Sequence, residues 1–452
     1  MANLCPGPDP ATVNIILKWN LIYFRLNLNF IGLILIFLYF IFFPPGRVNL
    51  AEISQPANID TIYSEDIATV LCHVAGLPLS MPVIELGGGA SFSISFDDLR
   101  SGNHRYRYEV VHTDMNWNKD ELDEYDYIDG FNRSEIRNYA FSTNRNLDYT
   151  HYRLELPNND LRLKISGNFL LHVYEELRKG QRIYLFTRRV MVVEPKVKVN
   201  TIFVRPTDGL KYRSHQEIDF EISVKGFPIY NSRQEITCTV MQNGRWGTAV
   251  SGLKQNRDKP EHLVFDYIDK VSFPAGKEFR FFDIRSLEFR TRFVKKITEN
   301  ANEIIVTLND DKTRDLFNFL DDQDANGRYI IENQDRPDPR LSSEYVWVDF
   351  TLKSPEFFDQ QVYLIGAFTD WQIKSPFLLK YDEISMAYLG SALLKQGYYN
   401  YGYVVAGKRG DFSASPIDGD WYETENDYQV LVYYRPFGAR YDRLIAFHTA
   451  KP

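Results

Sequence analysis

Cysteine is scarce in this chain: Cys5, Cys72 and Cys238 are all that 452 residues hold. An odd, low count builds no disulfide framework. Cys238 lies in "EITCTV", where Ile236, Cys238 and Val240 alternate onto one face, so it reads as a small buried hydrophobe. Histidine is sparse and scattered. The eight, at 73, 104, 112, 151, 172, 215, 262 and 448, include no pair at zinc-ligand spacing on one element and no H-E-x-x-H. G-x-S-x-G is absent. "LGGGASF" (86–92) is glycine-rich but leads into a strand, so it lacks the helix N-terminus that makes a glycine loop bind phosphate. Paired carboxylates such as Asp97-Asp98 say little in a chain with 60 acidic residues, because acid/base work needs more than adjacency. No long basic block offsets the net charge of −8. That argues against nucleic acid as a partner, since phosphate binding needs clustered Lys and Arg. The expectation from these absences is a protein that is not an enzyme and uses no cofactor.

What the chain does have is aromatic and β-branched residues. It carries 29 Tyr and 32 Phe, and Val, Ile and Thr recur in short runs, a composition that favours strands. Its length suggests about three domains. Near the start, "FIGLILIFLYFIFF" (Phe30–Phe43) is an unbroken apolar run of 14 residues, preceded by Lys18 and Arg25 and ended by Pro44, Pro45 and Gly46. That is short for a bilayer span and fits a signal-peptide core. Residues 1–51 are therefore read as an export signal, or as an uncleaved membrane anchor if the flank from Ile15 joins the run. Cys5 precedes the run, so it is not a lipoprotein cysteine.

From residue 60 the pattern is strand, turn, strand. Phe92, Ile94 and Phe96 alternate with serines in "SFSISFDDL", and Tyr106, Tyr108 and Val110 alternate in "RYRYEVVH". Short strands at this spacing predict a β-sandwich over 60–195. A second β unit, 196–335, contains Asn243-Gly244, a two-residue hairpin signal. The polar "ENQDRPDPRLSS" (332–343) is taken as the next boundary, and 344–452 alternates again in "EYVWVDFTL", "GYYNYGYVV" and "YQVLVYYRP". No amphipathic helix of ten or more residues is visible. The expected fold is all-β: tandem immunoglobulin-like β-sandwiches after an N-terminal signal or anchor.

Three stretches invite a functional reading. In "DDQDANGRYIIEN", Asp322, Asp324, Asn326 and Gly327 match the first half of a calcium loop, three oxygen ligands on alternate residues and a glycine turn. The match fails at the twelfth position, Asn333, and an Asn-Gly turn explains the same residues. "GAFTDW" and "DGDWYE" place Trp371 and Trp421 beside small polar residues, either as a binding face for sugar rings or as core aromatics. "NWNKDELDEYDYIDGF" (116–131) packs six carboxylates between Asp120 and Asp129, but no register gives a calcium loop. It reads as a recognition or scaffold loop, with Trp117, Tyr127, Asp129 and Phe131 as its marked residues. Trp117, Tyr127, Ile128 and Phe131 would clip it to the body, with its acids on the wet side.

Two family resemblances rest on these residues. "VYLIGAFTDW" (362–371), "LLKQGYYNYGYVV" (393–405) and "DGDW" (418–421) resemble, in order, the immunoglobulin-like E-set carbohydrate-binding modules. "SISFDDL" (93–99), "YIDGFN" (127–132), "YTHYRLELPNNDLRLKISGNFLLHVYE" (149–175), "TRRVMVVEPKV" (187–197) and "DANGRYIIEN" (324–333) resemble the type IX secretion system plug protein family. That resemblance implies a periplasmic protein, associated with the outer membrane, that binds and seals the periplasmic mouth of a giant outer-membrane barrel translocon. The mechanism it implies is steric and needs no catalytic residue. The alternative is a glycan-binding protein of the cell envelope that uses Trp371 and Trp421.

Overall fold

Period-two alternation builds the first sandwich. Phe92, Ile94 and Phe96 from strand Phe92–Asp98 meet Tyr106, Tyr108 and Val110 from strand Tyr106–Thr113 in one core. Each fully buried ring contributes on the order of 2 kcal/mol. One sheet runs Thr61–Ile62, Arg182–Val193, Gly167–Glu176, Tyr106–Thr113, with Val83–Glu85 added parallel to the second of these. The facing sheet runs Ile67–Val74, Phe92–Asp98, Thr150–Leu156, Asn138–Phe141. The computed structural model describes residues 55–100, 102–301, 303–315, 324–408 and 410–452. The expected signal or anchor, with Cys5, lies outside them. Residues Gln55–Pro452 form one unit, all-β, and no described helix exceeds four residues.

The middle sandwich places Lys198–Val204, His215–Ser223, His262–Phe265 and Arg257–Lys259, with Ser272–Pro274, over a second sheet. That second sheet is Val250–Leu253, Ile236–Gln242, Tyr428–Tyr434, Arg443–Ala450. Asn243 and Gly244 take φ of 53° and 70°, and Arg245 N–H closes on Gln242 O at 3.0 Å, the hairpin turn that Asn-Gly favours. Cys238 is fully buried in this core, and burial pushes its thiol up. The third sandwich is one eleven-stranded sheet. A single core gathers Phe282, Ile304, Val348 and Tyr401 from across its width, so the sheet folds over on itself.

The strand pairing departs from the expected segments 196–335 and 344–452. Tyr428–Tyr434 pairs with Ile236–Gln242 in the middle sandwich, and Arg280–Asp283 pairs with Gly397–Ala406 in the third. The third sandwich, Arg280 to Asp418, is thus inserted into the middle one. The polar stretch 332–343 is an internal connection of the third, where Asn333 donates to Ser342 O at 3.1 Å. The physical reason lies in "YQVLVYY". All seven residues are buried, with Tyr428, Val430 and Val432 in the middle core and Leu431 and Tyr433 against the first sandwich. A strand buried on both faces must be central. The two crossing segments run side by side: Trp421 N–H donates to Gly276 O at 2.9 Å, Gly276 N–H to Asp420 Oδ1 at 2.9 Å, and Asn426 Nδ2 to Ala275 O at 2.9 Å.

Two seams fix the first sandwich. Toward the middle one, Trp117, Leu170 and Met191 pack on Met241, Leu431, Tyr433 and Leu444. Toward the third, the outer face of Phe92–Asp98 supplies Asp97. Lys395 Nζ lies 2.6 Å from Asp97 Oδ2, Tyr345 OH 2.7 Å from the same oxygen, and His151 Nδ1 2.7 Å from Oδ1. Lys395 also sits 4.0 Å from the Tyr149 ring centre, and the Asp97 and Lys395 side chains are each only 1 % exposed. Burial pushes the Asp97 carboxyl up, but Lys395 and His151 outweigh it and hold it below its ordinary value. Burial also lowers the Lys395 ammonium against the pull of Asp97. The carboxylate governs, because three donors converge on it.

Candidate docking surface

The acidic loop is built from its turns outward. Asp114 Oδ1 accepts the N–H groups of Asn116 (2.9 Å) and Asn118 (2.8 Å), an Asx-type reversal. It leaves Trp117 at φ 67°. Trp117 turns inward, edge-on to Trp246 at 4.9 Å, with the Arg189 guanidinium over both rings. Asp120 forms a buried pair with His112. Asp123 and Asp126 close a capping box around the helical turn Glu124–Tyr127, which sends Tyr127 into the first core. Glu124 binds Arg133, and Asp126 accepts from Arg440 at 2.9 Å. Most of these acids are therefore structural partners. The expectation of a solvated acidic side holds only for residues such as Glu121 and Asp129, which are exposed.

Phe131 corrects the expectation that it clips the loop down. Gly130 has φ 108°, and a Cβ there would run into the Asp160 carbonyl, so only glycine fits. Phe131 N–H is tied to Asp160 O at 2.6 Å while its ring stands in solvent. The structure adds three rings that the sequence reading missed. Exposure is 75 % for Phe131, 85 % for Tyr125, 94 % for Tyr230 and 99 % for Phe437. Their loops are joined by Arg440 to Asp126, by Arg435 N–H to Glu235 O at 2.8 Å, and by Tyr230 N–H to Glu235 Oε2 at 3.2 Å. A signal was present in "RPFGAR", where Phe437 lies between Pro436 and Gly438 at a loop tip; "GFPIYN" gave none, since Phe227, between Gly226 and Pro228, packs on the middle core while Tyr230 is exposed. Exposed aromatics on loops joined in this way are a candidate interaction surface.

The other sequence-predicted residues fall elsewhere. Asp324 accepts from Phe279 N–H and, at 2.6 Å, from Asn326 N–H. Asn326 and Gly327, at φ 52° and 78°, form the Asn-Gly turn. Asp322 lies outside the described residues, and no group of three His, Cys, Asp or Glu suited to a metal occurs among the described ones. Trp371 is wedged against Gly327 and Phe279, with Arg245 5.0 Å from its ring centre. Trp421 lies in a crossing segment with Lys277 5.2 Å from its ring centre. Each ring is half-buried with a cation beside it, and Trp371 also lines two clefts.

The architecture is that of an all-β, multi-domain sandwich protein. It is similar to the crystal structure of a hypothetical protein from Parabacteroides merdae ATCC 43184, with 35 % identity and a TM-score of 0.83, covering 88 % of this chain and all of that one. The chain belongs to the family of that protein. Its residues 67–194, the first sandwich, match the type 9 secretion system plug protein 1st domain, which ties the chain to type 9 secretion and to a component of that system. No curated protein matches.

Proposed function

We propose that this protein is the periplasmic plug of the type IX secretion system, binding and sealing the periplasmic mouth of its giant outer-membrane barrel. The observation that carries this reading is the plug-domain match over residues 67–194. The build of the body supports it. Three sandwiches joined by a double crossing and two buried seams make a stiff obstruction, and occlusion needs stiffness rather than catalysis. The protein acts sterically, without catalytic residues. It reaches the periplasm through the N-terminal signal, and its third sandwich is an E-set-like module used for packing. The rings of Tyr125, Phe131, Tyr230 and Phe437 are the docking surface, because exposed aromatics are favoured interface anchors.

Affinity purification from native membranes in mild detergent tests the reading. A very large outer-membrane barrel is expected to co-purify, and Phe131→Ser with Phe437→Ser is expected to weaken recovery by about tenfold or more. Recovery of no barrel by the wild-type chain would sink the plug reading. Recovery unchanged by the substitutions would move the docking surface elsewhere.

A further inference from the structure

One of the clefts lined by Trp371 lies between the middle and third sandwiches and has a volume of about 180 Å³. That is below the ~300–1,000 Å³ of drug-sized sites, so it suits a ligand the size of one side chain. Phe279, Ile365, Val404 and Phe412 make its walls largely apolar. Gly402 lies on the same strand face as Val404. A Cβ there would meet only Ile365 and Phe279, at 3.7 Å or more, and its φ is not positive. Neither a clash nor the backbone demands glycine, and its missing side chain leaves the cleft open.

The middle sandwich contributes Arg245, which follows the Asn243-Gly244 turn. Arg188, Arg280, Arg314 and Arg328 each lie within 3.4 Å of a carboxylate oxygen. Arg245 has no such partner and no side-chain hydrogen bond among the described residues. Its guanidinium carbon is 5.0 Å from the Trp371 ring centre, a contact that attracts the charge but leaves the planar N–H fork open. Burial alone acts on that charge, pushing it down, and no carboxylate offsets it. Its nitrogens are not sealed from solvent. The carboxylates of the lining are engaged elsewhere, Asp418 by Arg280 and Arg314, Asp420 by Gly276 N–H and the Ser415 hydroxyl. Lys277 donates to the Arg314 carbonyl.

We propose that this cleft binds a monocarboxylate carried on an aromatic or branched apolar body, either a peptide C-terminus or a free small acid. The carboxylate takes the Arg245 fork as a bidentate pair. The apolar body lies against Phe279, Ile365 and Phe412 in the space that Gly402 leaves. One open guanidinium matches one negative charge, so a dianion such as phosphate is the poorer fit. The site is separate from the exposed rings and does not rest on the plug reading.

The test is calorimetric titration of the full chain with N-acetylphenylalanine, phenylpropionate, the neutral N-acetylphenylalaninamide and inorganic phosphate. The two acids are expected to bind, and the amide and phosphate to bind at least about tenfold more weakly. Tighter binding of N-acetylphenylalanine assigns a peptide end, and tighter binding of phenylpropionate assigns a free acid. Arg245→Gln breaks no ion pair, and Gly402→Val fills the cleft without touching the charge. Each is expected to weaken binding of the acids about tenfold or more. Should one variant fail to fold, judged by circular dichroism, the other supplies the readout, together with a crystal structure of the wild-type chain grown with N-acetylphenylalanine. The proposal fails if neither acid binds, if the amide or phosphate binds as well as the acids, if a folded variant binds equally, or if density for the acid lies outside this cleft.

Discussion

The two seams that fix the first sandwich differ at their centres, although the one toward the middle sandwich also carries the Arg443–Glu194 pair at 2.7 Å. Against the middle sandwich the contact is Trp117, Leu170 and Met191 on Met241, Leu431 and Leu444. Against the third it is Asp97 with Lys395, His151 and Tyr345. Apolar burial is non-directional and grows with area, so the first seam supplies strength. A buried ion pair must recover a desolvation cost of several kcal/mol per ion, and does so only when its hydrogen bonds are well made. The second seam therefore works in one relative placement of the two sandwiches. Strength on one side and a fixed orientation on the other together give a single rigid body.

The largest expected effect comes from unpairing the ionic seam. Lys395→Met leaves Asp97 buried with His151 and Tyr345 alone, and should cost about 3–5 kcal/mol in urea unfolding; a loss under about 1 kcal/mol would show that the pair adds nothing. Next is the apolar seam. Leu431→Ala should cost about 3 kcal/mol, with the same loss at pH 5 and pH 8, because no charge is involved.

Acid distinguishes the seams further. His172, two residues beyond Leu170 on the same strand face, is held down to about 4 by burial. Between the unfolded value near ~6.5 and that folded value, the unfolded chain binds a proton that the native state refuses, so stability falls as pH falls. The full drop is on the order of 3 kcal/mol, and His172→Gln should flatten it in a series of urea melts. Asp97 acts lower. Its folded value is depressed, so its contribution is complete above the unfolded carboxylate value near ~3.9 and is lost as pH falls through the folded one. Asp98, and Glu194 beside Arg443, are depressed as well, so Asp97→Asn should shrink that lower step rather than remove it, and an unchanged step would show that Asp97 contributes nothing to it. The smallest effect is expected at the exposed rings: Phe437→Ser should change stability by less than about 0.5 kcal/mol. A larger loss would show that the ring packs rather than docks.

Much of the body was legible along the chain. Alternation marked Phe92, Ile94, Tyr106 and Val110 as one core, and Asn-Gly marked the turns at 243 and 326, because a period of two and a need for positive φ are local demands. The candidate docking surface was half legible. Asp129 and Phe131 were marked, but Phe131 was given the wrong direction, and Tyr230 and Phe437 lie far from it along the chain. Asp97 looked like one carboxylate among 60 acidic residues until Lys395 arrived from 298 positions away.

The sequence by itself determined the strands, their inward faces and the tight turns, since each depends on neighbours a few residues apart. Only the tertiary structure decided which sheet took Tyr428–Tyr434, that one sandwich is inserted in another, and that the acids of 116–131 are mostly partnered. Those outcomes depend on which second surface covers an already half-buried strand or meets a charge. That choice belongs to packing between distant segments, where desolvation and shape rather than local propensity set the energy.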